Sequence, residues 1–199
     1  MSEPAADPIL VRRFLDGDRT AFEALVRRHE GRVYAVCLRI LGDADEAADA
    51  AQDTFLTVLR KLDQFRGDAA FTTWLHRVAV NACYDALRAK RRRPMLHLAS
   101  DESLPEPGPP HPDHGDEVAA TRDAAAALAM VPEEFRVALV LADIEDLPYA
   151  EIARVLDVPV GTVKSRVHRG RIALARAMGM QVPVTGEPAR PSRSSEEQA

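Results

Sequence analysis

Residues 149–174 read YAEIARVLDVPVGTVKSRVHRGRIAL. Two helical patterns meet here at a short turn. Ile152, Val155 and Leu156 give the first segment an apolar face, and Ala153 is small where two helices must approach closely. Asp157–Val160 forms a turn of three to four residues. Asp157 takes the position that glycine fills most often in such turns, and Asp tolerates the left-handed region better than most residues. Pro159 pre-sets φ for the next helix. From there Val163, Val167 and Leu174 face inward, which leaves Thr162, Lys164, Ser165, Arg166, His168, Arg169 and Arg171 facing outward. A buried seam with hydrogen-bond donors opposite it is what a recognition helix needs to enter a major groove and meet guanine edges or phosphates. The segment therefore reads as a helix-turn-helix. The alternative is an antiparallel helix pair with a basic surface.

The formal net charge of −5, taken alone, argues against a nucleic-acid partner. Its distribution reverses that reading. Residues 158–182 hold Lys164, Arg166, Arg169, Arg171 and Arg176 and no acid. A second basic run, Arg88 and Lys90 to Arg93, closes an earlier block, whereas residues 94–117 carry acids and no Lys or Arg. A local basic stripe, not net charge, is the electrostatic mark of nucleic-acid binding.

Proline places the boundaries. None occurs between Ile9 and Arg93, so that block can be all helix. Gly17, Gly31, Gly42 and Gly67 divide it into helices near 8–16, 18–30, 32–41, 44–63 and 71–92. Val33, Val36, Cys37, Ile40 and Leu41 lie on one helical face, as do Ala47, Ala51, Phe55, Val58 and Leu62 on the next. Strand-like alternation is absent. Residues 94–117, PMLHLASDESLPEPGPPHPDHGDE, read as an extended acidic Pro-rich linker that could reach about 75 Å. Helices follow near 118–131, 133–144, 149–156 and 160–178, with Pro132 and Pro148 at helix starts. The expectation is an all-α chain of two small helical domains, 7–93 and 118–180, with a flexible linker over 94–117 and a disordered tail over 181–199.

The first domain offers two further faces. On the helix near 44–63, Asp45, Asp49, Gln52, Asp53 and Leu56 form a stripe beside the core stripe. A solvated acidic face is the plain reading; Gln52 and Leu56 within it suggest docking to a basic partner. On the helix near 71–92, Phe71, Leu75, Val78 and Ala82 point inward, and Thr73, Arg77, Asn81, Tyr84, Arg88 and Arg91 point outward. Cations, an amide and an aromatic on one stripe suit melted or single-stranded DNA. Trp74 and Tyr84 suit either the core or a DNA-facing role.

The run EIARVLDVPVGTVKSRVHRGR closely resembles region four of bacterial extracytoplasmic-function (ECF) sigma factors. DADEAADAAQDTFLTVLRKLDQF is similar to region two of that family, and FRGDAAFTTWLHRVAVNACYDALR to its element that melts and reads the −10 promoter region. The resemblance implies a promoter-specificity subunit of RNA polymerase with two partners, core polymerase and promoter DNA. It assigns Thr162, Lys164, Ser165, Arg166, His168, Arg169 and Arg171 to the −35 element. Phe65, Arg77, Asn81, Tyr84, Arg88 and Arg91 fall to the −10 element, with the loop Gly67–Thr73 near a flipped base. Asp45, Asp49, Gln52, Asp53 and Leu56 fall to polymerase binding. A cognate anti-sigma factor is a further family expectation. The two promoter elements lie about 70 Å apart, within reach of the linker. Within DNA binding, the rival is a stand-alone dimeric regulator with a helical effector domain.

Other chemistries are not indicated. His111, Asp113, His114 and Asp116 could ligate a metal, but they sit in the Pro-rich segment with no core to position them. Phosphate-loop, dinucleotide and H-E-x-x-H patterns are missing, and no His or Lys joins Asp45, Asp49 and Asp53 on their face. Neither an enzyme nor a cofactor is expected. Cys37 and Cys83 lack metal-ligand spacing and read as buried thiols. No apolar run approaches a bilayer span, and the N-terminal MSEPAADPILVRRF lacks a signal-peptide pattern. Membrane insertion is not expected, and a cytoplasmic location is.

Overall fold

A computed structural model of the chain describes residues 6–92 and 115–180, with the backbone alone over 115–122. Every regular element among the described residues is helical. The first domain comprises α1 (Asp7–Leu15), α2 (Arg19–Leu41), α3 (Ala44–Lys61), a 3₁₀ turn at Leu62–Gln64, and α4 (Phe71–Arg92). The second comprises α5 (Gly115–Met130), α6 (Glu133–Leu139), a π turn at Val140–Ile144, α7 (Tyr149–Leu156) and α8 (Val160–Ala177).

Local chemistry sets the ends of these helices. The Asp18 carboxylate accepts from the Thr20 N–H at 3.0 Å and so caps α2. Asp43 does the same for α3 by accepting from the Glu46 N–H at 2.8 Å. Between these helices Gly42 adopts φ +76°, and its N–H closes the last turn of α2 on the Leu38 carbonyl at 2.8 Å. Pro132, Pro148 and Pro159 stand one position before α6, α7 and α8, in extended geometry, as N-caps. Their carbonyls accept the first helical bonds, and their missing N–H lies outside the helix.

The structure corrects the division at Gly31, because 18–30 and 32–41 are one helix. The buried seam Ala21, Leu25, His29, Val33, Val36 and Ile40 runs straight through, while Gly31 lies on the exposed face with nothing near its missing Cβ. Continuous burial on one side outweighs the roughly 1 kcal/mol that a mid-helix glycine costs. The helix near 133–144 widens at its end into the π turn, where the Glu145 N–H bonds to the Val140 carbonyl at 3.0 Å and Glu145 is buried. α5 begins at Gly115, inside the predicted linker. The rest of that linker, the metal-capable residues His111, Asp113 and His114, and the tail from 181 lie outside the described residues.

The core is aliphatic. Leu25, Val36, Ile40, Val58, Leu62 and Val80 are sealed in the first domain, and Val131, Val137, Leu141, Ile152 and Val163 in the second. Cys37 and Cys83 are buried free thiols, as expected of core cysteines. The neighbouring Cys37 thiol, with burial second, holds the Cys83 thiol protonated far above its ordinary range. The two domains also touch. α4 lies against α7, and α2 against α5, α6 and the π turn.

Candidate nucleic-acid and partner surfaces

α7 and α8 form the helix-turn-helix. Asp157 sits at φ 54°, ψ 48°, the left-handed conformation expected of it, and the following Val158 N–H bonds to the Ala153 carbonyl at 3.1 Å. Ile152, Val155, Val163 and Val167 are buried, while Leu156 and Leu174 are half-buried. Gly170, which drew no attention in the sequence, is buried against α6. A Cβ there would stand 3.0 Å from the Phe135 carbonyl oxygen and 3.3 Å from Leu139 Cβ. Its lack of a side chain lets α8 approach α6 closely.

The opposite face of α8 has the expected chemistry. Lys164, Ser165, His168, Arg169 and Arg171 are exposed; Thr162 and Arg166 are half-buried. Three of the arginines are braced by the helix region before α7. Arg171 donates two hydrogen bonds to Asp143, at 2.9 and 2.6 Å. Arg166 approaches Glu134 at 3.6 Å, and the Arg169 guanidinium lies 5.9 Å from the Phe135 ring centre. These partners lie more than 25 residues away in the chain, so helical spacing could not reveal them.

On α4, Arg77, Asn81, Arg88 and Arg91 are exposed on one stripe, and Tyr84 is half-buried at its edge. Burial pushes the Tyr84 phenol up from its ordinary value, partly opposed by Arg166. Arg88 pairs with Asp85, and Arg91 with Glu133. Thr73 departs from the expectation: it is buried, not outward, and its hydroxyl donates to Glu151 of α7 at 2.6 Å. The inward face is also rotated. Val78 and Ala82 are only half-buried, whereas His76, Ala79, Val80, Cys83 and Leu87 are buried, because α4 packs on α2 and α3 of its own domain and on α7 of the second. Phe65, Phe71 and Trp74 form an aromatic cluster with ring centres 5.5–5.9 Å apart. Phe65 and Trp74 are each half-buried in it, so Trp74 packs on the core and still shows an edge.

On α3, Asp45, Asp49, Gln52, Asp53 and Leu56 are all exposed on one face. Leu59, missed in the sequence, extends that face, with 44% of its surface open against 39% for Leu56. Among the described residues no cation pairs with Asp45, Asp49 or Asp53. The face therefore presents carboxylates and leucines to whatever docks on it.

The family model for sigma-70 region 2 matches residues 25–93, and that for sigma-70 region 4 matches residues 121–174. The chain belongs to the ECF sigma-factor family. Sigma factors bind core RNA polymerase and promoter DNA in promoter-specific initiation. This sigma factor is 37% identical to the RNA polymerase sigma-H factor of Pseudomonas aeruginosa over 182 residues, covering 86% of this chain and 93% of that one. It is also 37% identical to the ECF RNA polymerase sigma-E factor of Escherichia coli over 184 residues, covering 87% and 95%. Among solved structures it resembles CnrH in complex with the cytosolic domain of CnrY, with TM-score 0.63, 28% identity, and coverage of 88% and 98%. The fold is shared with the sigma factor RpoE of Bartonella quintana, solved with the anti-sigma factor NepR, with TM-score 0.65, 24% identity, and coverage of 79% and 96%. No helix among the described residues is long and apolar enough to cross a membrane. No group of three or more His, Cys, Asp or Glu among them could hold a metal ion.

Proposed function

We propose that the work of initiation is divided among three faces of this sigma factor. Domain 7–93 docks on core polymerase through Asp45, Asp49, Gln52, Asp53 and Leu56 of α3. The same domain reads and melts the −10 element with Phe65, Arg77, Asn81, Tyr84, Arg88 and Arg91. Domain 118–180 reads the −35 element with Thr162, Lys164, Ser165, Arg166, His168, Arg169 and Arg171. Residues 94–117 tether the two, and weak contacts in each domain gain strength once both are held on one polymerase. The chain acts as a cytoplasmic binding subunit without catalysis of its own. A cognate anti-sigma factor is its expected antagonist, because relatives of this fold have been solved with such partners.

The observation that carries the reading is the two-sided character of α8. Val163 and Val167 are sealed beneath it, while Lys164, Ser165, His168 and Arg169 stand exposed above. The Lys164→Ala, Arg169→Ala double variant should lower transcription from a −35-dependent promoter by about tenfold or more, at roughly 1–3 kcal/mol per lost base contact. Capture of core polymerase on the same preparation should be unchanged. If polymerase capture falls with transcription, the assignment of α8 to DNA is wrong.

A further inference from the structure

Gly170 is where α8 rests on α6, and the residues on either side of it are both fastened. A Cβ at Gly170 would stand 3.0 Å from the Phe135 carbonyl oxygen, so no side chain there can stop α8 from rolling. Successive helical residues are turned by about 100°, which sends Arg169 and Arg171 out on opposite flanks of that contact. On one flank the Arg169 guanidinium lies 5.9 Å from the centre of the Phe135 ring. On the other, Arg171 donates from Nε and Nη2 to the two carboxylate oxygens of Asp143, at 2.9 and 2.6 Å. Asp143 stands in the π turn that continues α6, so one stretch of helix holds both flanks.

The two attachments differ in kind. Stacking on a ring face leaves the Arg169 N–H groups able to donate elsewhere. The fork on Asp143 matches the charge of Arg171 and occupies the bidentate edge that a guanine or a phosphate would take. Position points the same way. Arg171 lies two turns beyond Lys164, whereas a recognition helix meets base edges with its N-terminal part. Among the described residues no acid pairs with Lys164 or Arg169. The Arg171 and Asp143 side chains are 56% and 34% open, and an ion pair that exposed adds little to stability. What two parallel hydrogen bonds on one flank do fix is the rotation of α8, and with it the direction in which Lys164, Ser165, His168 and Arg169 face.

We propose that Asp143 is a specificity-determining positioning residue for −35 reading, and that Arg171 serves that reading as its strut, touching neither a base edge nor a phosphate. The inference rests on the assignment of α8 to the −35 element and changes the manner in which one member of that face acts. Asp143 brings negative charge to a DNA-facing helix and still favours binding, because it aims the donors that make the contacts.

The test uses holoenzyme assembled from core polymerase and the full chain carrying Asp143→Asn, Arg171→Ala or both. Run-off transcription and binding to promoter DNA are measured over a range of salt. Asp143→Asn removes an anion and releases a cation beside the DNA, so binding would tighten if Arg171 met DNA directly. The strut requires the reverse: binding and −35-dependent transcription fall by about threefold or more, with discrimination relaxed at every base pair that α8 reads. Arg171→Ala should fall as far, and the double variant no further than either single one. The salt slope of Arg171→Ala should equal that of wild type. A slope shallower by about 0.9 marks a lost phosphate contact and overturns the proposal, as does discrimination lost at one base pair alone. Unchanged or tighter binding by Asp143→Asn overturns it too. If a single variant loses helix by circular dichroism, the exchanged pair Asp143→Arg with Arg171→Asp decides. Transcription above that of Arg171→Asp alone supports the strut, and none above it contradicts it. A wild-type holoenzyme indifferent to the −35 sequence would instead remove the assignment of α8 itself, a result distinct from the failure of the strut.

Discussion

Asp157 and Gly170 show two ways in which one residue sets the placement of α8. Asp157 takes a left-handed turn that its short polar side chain tolerates, so that turn was legible from residue type and position alone. Gly170 looks permissive in sequence, and its role emerges only once α6 is placed against α8. Gly170→Ala forces a methyl group to 3.0 Å from a backbone oxygen that has no rotamer to escape into. We expect about 1–3 kcal/mol of destabilisation by chemical denaturation; an unchanged midpoint would show that α8 can slide on α6 without cost. His29 adds a pH dependence. Burial pushes its pKa below the ordinary histidine value, against the pull of Asp7, to which its Nε2 donates at 3.0 Å. The unfolded chain therefore takes up this proton first, and stability should fall as pH drops through about 6.5 toward the lower folded value. Glu145 acts in the same sense at lower pH. Burial raises its pKa, but hydrogen bonds from His76 and Arg32 win and hold it below its usual value, so its stabilisation is lost as pH falls below the carboxylate range. Unfolding free energies measured from pH 7 to 5 should decline, and His29→Gln should flatten the upper part of that slope. A profile unaffected by the substitution would show that the imidazole does not titrate differently on folding.

At the scale of the helix, periodicity was the dependable signal and glycine punctuation was not. The seams of α2 and α3 were legible because buried residues recur every three or four positions regardless of what occupies the far side. Gly31 misled because a glycine on an exposed face interrupts nothing. Gly31→Ala, with no positive φ and no neighbour to strike, should stabilise the chain by about 0.5–1 kcal/mol in chemical denaturation. A destabilised variant would mean that a bend at Gly31 is needed. On α4 the reading of the inward face missed His76, Val80 and Leu87, since part of what buries them comes from a helix far along the chain. α3 shows the opposite case, where the candidate face stays exposed as expected and gains Leu59. Asp49→Arg with Leu56→Ala changes its charge and removes its apolar anchor, neither of which touches the core. Co-purification with core polymerase should fall at least tenfold while helix content is retained. Undiminished capture would move the docking face elsewhere.

For the whole molecule, the all-α architecture, the two-domain order and the helix-turn-helix follow from proline placement, apolar spacing and a single turn. The contact between the domains could not be read that way. Glu145, Arg32 and His76 are separated by long stretches of chain, and no local pattern brings a carboxylate to two cation-bearing helices. Nor could the sequence show that residues assigned to opposite ends of a promoter share the Glu133–Glu134 pair. The account depends on a division of labour in which neither domain grips its target well alone. Its most direct test is run-off transcription by purified core polymerase, with and without the full chain, from a template carrying both promoter elements. The prediction is initiation that requires the chain, core polymerase and both elements together, with weak binding of the free chain to the same DNA. Tight, specific promoter binding by a free homodimer, with no effect on core polymerase, would contradict it.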